Sequence, residues 1–226
     1  MTDFAPLDNP IWHALATAHR ALARSHGRAA RYPGDVSPLA GLAEPTPSAF
    51  ADMAKLVGPE ESVALFARQS PDVPAEWEVK RSRWIHQMTC AEPPESPALP
   101  IAKLTPADVP EMLALTALAQ PGPFLPRTIA MGSYFGIRAA DGRLAAMAGE
   151  RLCLDDFVEI SAVCTHPDFR GRGHGRAMVA FVAARSFRMN KTPFLHVVPE
   201  NPAIHVYEKV GLSVRCDMCL TIIAPR

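Results

Sequence analysis

The stretch EISAVCTHPDFRGRGHGRA, Glu159 to Ala177, decides how this chain is read. Its first half alternates apolar residues with Glu159 and Ser161, a strand pattern. Its second half sets Arg170, Gly171, Arg172, Gly173, His174 and Gly175 just before the apolar run AMVAFVAA. Glycines at a helix start cost conformational entropy, so backbone freedom there must serve something. Glycine lets N–H groups approach a ligand closely, and a helix N-terminus adds partial positive charge. Arg170, Arg172 and Arg176 add ionic contacts, and His174 adds a donor. A pyrophosphate fits that chemistry. The phosphate loop GxxxxGK[ST] is absent, and the dinucleotide fingerprint GxGxxG fails because Arg176 stands at the third glycine position.

Working outward, Leu144–Cys153 and Phe157–Thr165 read as strands, and Asp141-Gly142 as the hairpin turn joining the first of them to Tyr134–Ala139. A helix is predicted over 173–189, with Ala177, Ala180, Phe181, Ala184 and Phe187 as its inner stripe. Phe194–Val198 reads as a strand, Asn201-Pro202 as the start of a helix ending at Gly211, and Ser213–Ile223 as a closing strand. Upstream, Asn9-Pro10 and Thr46-Pro47 are helix-start signals. Ser62–Ala67 and Glu76–Cys90 read as strands. Four prolines in AEPPESPALP, residues 91–100, mark a linker between an N-terminal α/β extension (1–90) and a second domain (101–226). Ile101–Leu104 is a strand, followed by a helix between Thr105 and Ala119. The whole is an α/β fold with a mixed sheet. TPSAFADMAKLV (46–57) aligns with TPADVPEMLALT (105–116), so the extension reads as a partial, degenerate repeat of the second domain's opening.

The chain has 226 residues and no net charge, which removes any global field for nucleic acid or acidic membranes. No broad basic face carries interleaved aromatics. No apolar run reaches the roughly 18 residues of a membrane span. The N-terminus lacks a basic, then apolar, leader, and five irregularly spaced cysteines suit free thiols in a cytoplasm. Cys216 and Cys219 lack a partner pair at metal-site spacing, so no metal is expected.

On EISAVCTHPDFRGRGHGRA and PFLHVVPENPAIHVYEKVGL (193–212), the chain resembles the GNAT N-acetyltransferase superfamily. The first stretch matches the signature [QR]-x-x-G-x-[GA]. The second matches a later strand, then Asn, Ala, Tyr and a Gly-terminated helix. The resemblance covers a little over half the chain, although glycine N-acyltransferase-like members also carry an N-terminal lobe. It implies acetyl-CoA as co-substrate. The backbone of Val163 and Thr165 would hold pantetheine as an added strand, and Arg170, Gly171, Arg172, Gly173, His174, Gly175 and Arg176 would hold the pyrophosphate. Asn201 would contact the pantetheine arm, and Tyr207 would protonate the leaving thiolate.

For the base, two residues stand open. Glu159 lies eleven positions before Arg170, where histone acetyltransferases of the family carry theirs, and burial would raise its pKa. His196 occupies the strand position of the glutamate base in the family's ribosomal-protein acetyltransferases, and an imidazole suits proton uptake at neutral pH. The implied reaction is N-acetylation of a small-molecule or peptide amine by a monomer or homodimer. A non-catalytic acyl-CoA-binding module is the alternative. Arg127, in the loop 120–133, is a candidate for an acceptor's carboxylate.

Overall fold

A computed structural model describes residues 3–226. Its elements, in chain order, are α1 (Pro10–Ala16), β1 (Arg24–His26), β2 (Ala29–Arg31), β3 (Ala40–Leu42), α2 (Pro47–Ala54), β4 (Val63–Ala67), β5 (Trp77–Cys90), β6 (Ile101–Lys103), α3 (Val109–Ala119), β7 (Tyr134–Arg138), β8 (Leu144–Cys153), β9 (Phe157–Thr165), α4 (His174–Arg188), β10 (Thr192–Val197), α5 (Ile204–Glu208) and β11 (Leu212–Pro225). The mixed α/β fold is the expected one. No helix among the described residues is long and apolar enough to cross a membrane.

The start signals act in different ways. Thr46 caps α2 by accepting from the Ala49 N–H, whereas Asn9 leaves α1 uncapped and donates to the Leu42 carbonyl at 2.7 Å, tying α1 to β3. Thr105 and Asp108 form a capping box over one 3-10 turn, so α3 starts only at Val109. The two aligned TP stretches therefore open differently, α2 at the proline and α3 three residues beyond it. The three-stranded sheet β1-β2-β3 has no counterpart among the sequence expectations. Its signal was the left-handed Gly27 between two short extended runs.

The main sheet has eight strands in the order β4-β11-β5-β10-β9-β8-β7-β6. Only β9 and β10 pair in parallel; every other pair is antiparallel. This order corrects the expected boundary at 91–100. β5, from the N-terminal side, lies between β10 and β11, and β4 extends the same sheet. The prolines mark a connection that crosses one continuous sheet, and the core confirms it. Leu7, Ile11, Leu15 and Tyr32 pack in one cluster with Leu152, Phe157, Phe194 and Met218. On the opposite face Met178, Val179, Val182 and Ala183 of α4 pack on Met88, Ala146, Ile160 and Leu195. The buried face of α4 is also rotated from its predicted stripe, for Met178, Val179, Val182 and Ala183 are fully buried whereas Phe181 and Phe187 are only partly so.

One irregularity shapes everything that follows. Between Met147↔Cys164 and Gly149↔Ser161, two residues of β9 face one of β8, and Ala162 adopts φ 52°. This is a β-bulge. It breaks the predicted alternation: Ile160 packs with α4, while Ala162 and Cys164 join the cluster around Met112 and Leu115 of α3 on the other face.

Candidate active site

The bulge coincides with the end of a strand pairing. β9 and β10 share the register Thr192↔Phe157, Pro193↔Val158, Phe194↔Glu159, and pairing stops there. Beyond it β10 continues against β5 through Val197, while β9 continues against β8 through Thr165. The two strands part, and the β10-facing backbone of β9 from Ile160 onward has no strand partner. A cleft of about 1160 Å³ opens in the gap. Val163, Thr165, Arg170, Gly175, Asn201 and Tyr207 all line it, as do Ser161 and His196.

At the α4 end the backbone forms an anion cradle. None of the N–H groups from Gly171 to Arg176 donates to an acceptor among the described residues; the first amide used is that of Ala177, on the Gly173 carbonyl. Gly171 and Gly173 take φ +76° and +79°, and a Cβ on either meets nothing within 4 Å. Left-handed backbone and a helix start together turn successive amides to one side. Of the cations placed here by sequence, Arg170 faces the cleft and Arg176 is exposed. Arg172 does not join them: its guanidinium lies 5.2 Å from the Phe169 ring centre and donates to the Asp168 carbonyl. His174 likewise lines a separate hollow beside Arg172, with its Nδ1 buried and unpartnered.

Asn201 uses its Oδ1 to accept the Ala203 N–H at 2.9 Å, which turns the chain into α5 and leaves its amide NH2 free. That turn is why α5 starts at Ile204 rather than at Pro202. Tyr207 is nearly buried, and burial first, then the Cys164 sulfur, pushes its hydroxyl up to about 12.

The two expected bases are held in one polar file. Arg151, Glu159, His196, Gln87 and Arg215 sit on β8, β9, β10, β5 and β11, one residue per neighbouring strand. Arg215 Nη1 donates to Gln87 Oε1 at 2.7 Å, which fixes the amide. Gln87 Nε2 then donates to the Leu7 carbonyl at 2.8 Å and meets His196 Nε2 at 3.1 Å. That nitrogen must accept, so the proton of neutral His196 lies on Nδ1 and is donated to Glu159 Oε1 at 2.7 Å. Arg151 closes the file with Nε and Nη2 on the two Glu159 oxygens, at 2.8 and 2.6 Å. Arg215 also holds Asp8 at 2.6 Å, so the file ends in the N-terminal segment.

These contacts reverse the expectation for Glu159. Burial pushes its carboxyl up, but Arg151, through charge and hydrogen bonds, and then His196 outweigh burial and hold it down at about 2. A carboxylate so stabilised is a poor base. His196 has both ring nitrogens engaged, with the Phe66 ring 4.6 Å from its own. Neighbouring polar side chains and the remaining candidate, Arg127, are held structurally. Glu150 binds Arg185 and the Ser133 N–H. His166 accepts the Asp168 N–H. Arg127 is exposed, pairs with Asp35 and lies outside the cleft, although Gln120 to Pro123 of its loop do line it. Cys216 packs with the N-terminal core, whereas Cys219 bonds Ser82 and Thr221, so the pair does not converge. All five thiols are free.

Comparison with known proteins agrees with this geometry. The FR47-like protein family matches residues 134–220. A protein from Novosphingobium aromaticivorans, assigned to the GNAT family as an acetyltransferase, is 34% identical with a TM-score of 0.90. The match covers 98% of this chain and 99% of that one, so it includes the N-terminal ninety or so residues that the family resemblance left unexplained. A GCN5-related N-acetyltransferase from Kribbella flavida is 18% identical over 95% of both chains, with a TM-score of 0.61, and shares the fold. No curated protein matches the chain.

Proposed function

Because the chain belongs to the GNAT family of acetyltransferases, we propose that it transfers an acetyl group from acetyl-CoA to a primary amine. The observation that carries this reading is the parting of β9 from β10 beside unengaged amides. A free strand edge runs from Ile160 toward Thr165 and leads to the cradle at Gly171–Arg176. An amide-bearing pantetheine arm can complete such an edge, and a pyrophosphate can occupy such a cradle. Arg170 and Arg176 supply charge there, and the free amide of Asn201 supplies a donor to the arm.

The acceptor nitrogen attacks the thioester carbonyl; the C–N bond forms and the C–S bond breaks. The Val163 N–H, on the unpaired edge, stabilises the oxyanion. Tyr207, whose hydroxyl stays protonated well above neutral pH, gives its proton to the thiolate and recovers one from water. The ammonium proton leaves to water in the cleft, since Glu159 is committed to Arg151 and His196 to Gln87 and Glu159. His196 takes that proton only when Gln87 releases Nε2. The Glu159–His196 pair thus shapes the acceptor side of the cleft rather than serving as a free base.

Calorimetry with acetyl-CoA and with CoA, on wild type and Gly173→Asp, tests the reading. Micromolar binding lost in a folded Gly173→Asp protein supports it, and release of free thiol on adding an amine separates the enzyme from a non-catalytic module. Absence of binding by folded wild type refutes it.

A further inference from the structure

We infer that the acceptor is an amine carrying a carboxylate at its far end, and that Arg81 binds that carboxylate; the inference rests on the acyl-transfer reading above. The chain as a whole is neutral, yet the cleft wall is not. Four arginines line it, Arg81, Arg83, Arg151 and Arg170, and neither an aspartate nor a glutamate does. Three of the four are accounted for. Arg170 adjoins the cradle. Arg151 is neutralised by Glu159 at 2.6 Å, and Arg83 by Glu200 at 3.1 Å. The Arg81 side chain has no ion pair or hydrogen bond among the described residues, and it is exposed.

The register of the sheet says where Arg81 stands. It is opposite Ile222, which is opposite Ala64; Arg83 is opposite Leu220, which is opposite Phe66. Strand alternation puts Arg81 and Arg83 on the same face as Ile85 and Gln87. That is the face on which His196 meets Gln87 and Phe66. From His196 and Gln87 outward the wall passes over Ile85, then the row of Phe66, Leu220 and the already paired Arg83, and ends at Ile222 beside the unpaired Arg81. Arg81 is four residues along β5 from Ile85, about 13 Å between backbones at the usual strand rise, and a long arginine side chain can cover about half of that, which leaves a gap that a spacer of a few methylenes bridges. A ligand that complements this order has an amine at the splayed strands, an apolar spacer and an anion at its other end. A guanidinium fork suits a carboxylate in two-point contact. An α-amino acid, with both groups on one carbon, is too short to span the wall. A polyamine or lysine-rich peptide brings a second cation to a wall without an acid.

The test compares 6-aminohexanoate with n-hexylamine, which lacks the carboxylate. Acetyl-CoA consumption is followed for wild type, Arg81→Gln and, as a control outside the cleft, Arg127→Gln. Wild type is expected to favour 6-aminohexanoate in kcat/KM by at least tenfold. Arg81→Gln brings the ratio near one, and Arg127→Gln keeps it. Equal rates for the two amines in wild type, or an unchanged ratio in Arg81→Gln, overturn the inference. Should neither amine turn over, calorimetry of N-acetyl-6-aminohexanoate and N-hexylacetamide in the presence of CoA decides it. Tighter binding of the acid by wild type alone supports the inference; equal affinities overturn it. Acetyl-CoA binding, measured separately, shows whether the acyl-transfer reading itself has failed.

Discussion

Replacing Glu159 by Gln isolates the worth of the buried ion pair at the centre of the sheet. The carboxyl drops from an ordinary 4.5 to about 2 in the folded protein. At about 1.36 kcal/mol per pH unit, that difference corresponds to about 3 kcal/mol of stability at pH 7. The group is fully buried, so solvent screening removes little of it. Removal leaves Arg151 with a neutral partner, and breaking buried pairs costs about 3–5 kcal/mol, the same range. For a chain of this length the melting temperature should fall by roughly 6–12 °C. The sign follows from the depressed value. The contribution is full above about pH 4.5 and fades as pH falls toward about 2. By pH 4 roughly 1 kcal/mol of it has gone. Urea unfolding of wild type and Glu159→Gln at pH 7 and pH 4 should therefore show a gap that narrows by about that amount. A gap that is the same at both pH values, or under about 1 kcal/mol at pH 7, refutes the reasoning.

Three further outcomes are expected. Gly171→Ala should weaken CoA binding more than tenfold in calorimetry while costing only about 1 kcal/mol in stability, because a side chain there meets backbone strain at φ +76° but no steric neighbour. Tyr207→Phe should lower kcat about a hundredfold with little change in the KM for acetyl-CoA, and the wild-type rate should show no alkaline limb from this group below about pH 10. Gly41→Ala should destabilise the fold by about 1–3 kcal/mol in urea unfolding without altering CoA affinity, since its Cβ would stand 2.6 Å from the Trp12 backbone nitrogen.

Most of the second half of the chain was legible because its signals are local. The glycines at 171–175, the hairpin at Asp141-Gly142 and the apolar run of α4 each specify their own conformation. The cleft residues Val163, Thr165, Arg170, Gly175, Asn201 and Tyr207 followed from family motifs of fixed spacing, and the fold brings them together. What stayed hidden depends on pairing across long sequence distances. Nothing in residues 77–90 says that this strand separates β10 from β11, so a proline-rich stretch looked like a domain border. Glu159 looked like a base because burial was readable and its partner was not: Arg151 lies eight residues earlier, across a strand pair. Gln87 carried no signal at all, yet it sets the tautomer of His196. The bulge at Ala162 was equally silent, since Ser-Ala-Val reads as ordinary strand.

The position of β5 also has a consequence in time. On the ribosome β5 emerges about a hundred residues before β10 and β11, the two strands that flank it. Until they arrive, fourteen residues of extended chain have both edges open. Pairings of such long range form slowly, and open edges invite contact with other chains while they wait. The last strand made, β11, slots between β4 and β5 and binds both. The nascent protein therefore cannot complete its main sheet until β11 has been made, and long-range pairing is left to the end of that stretch.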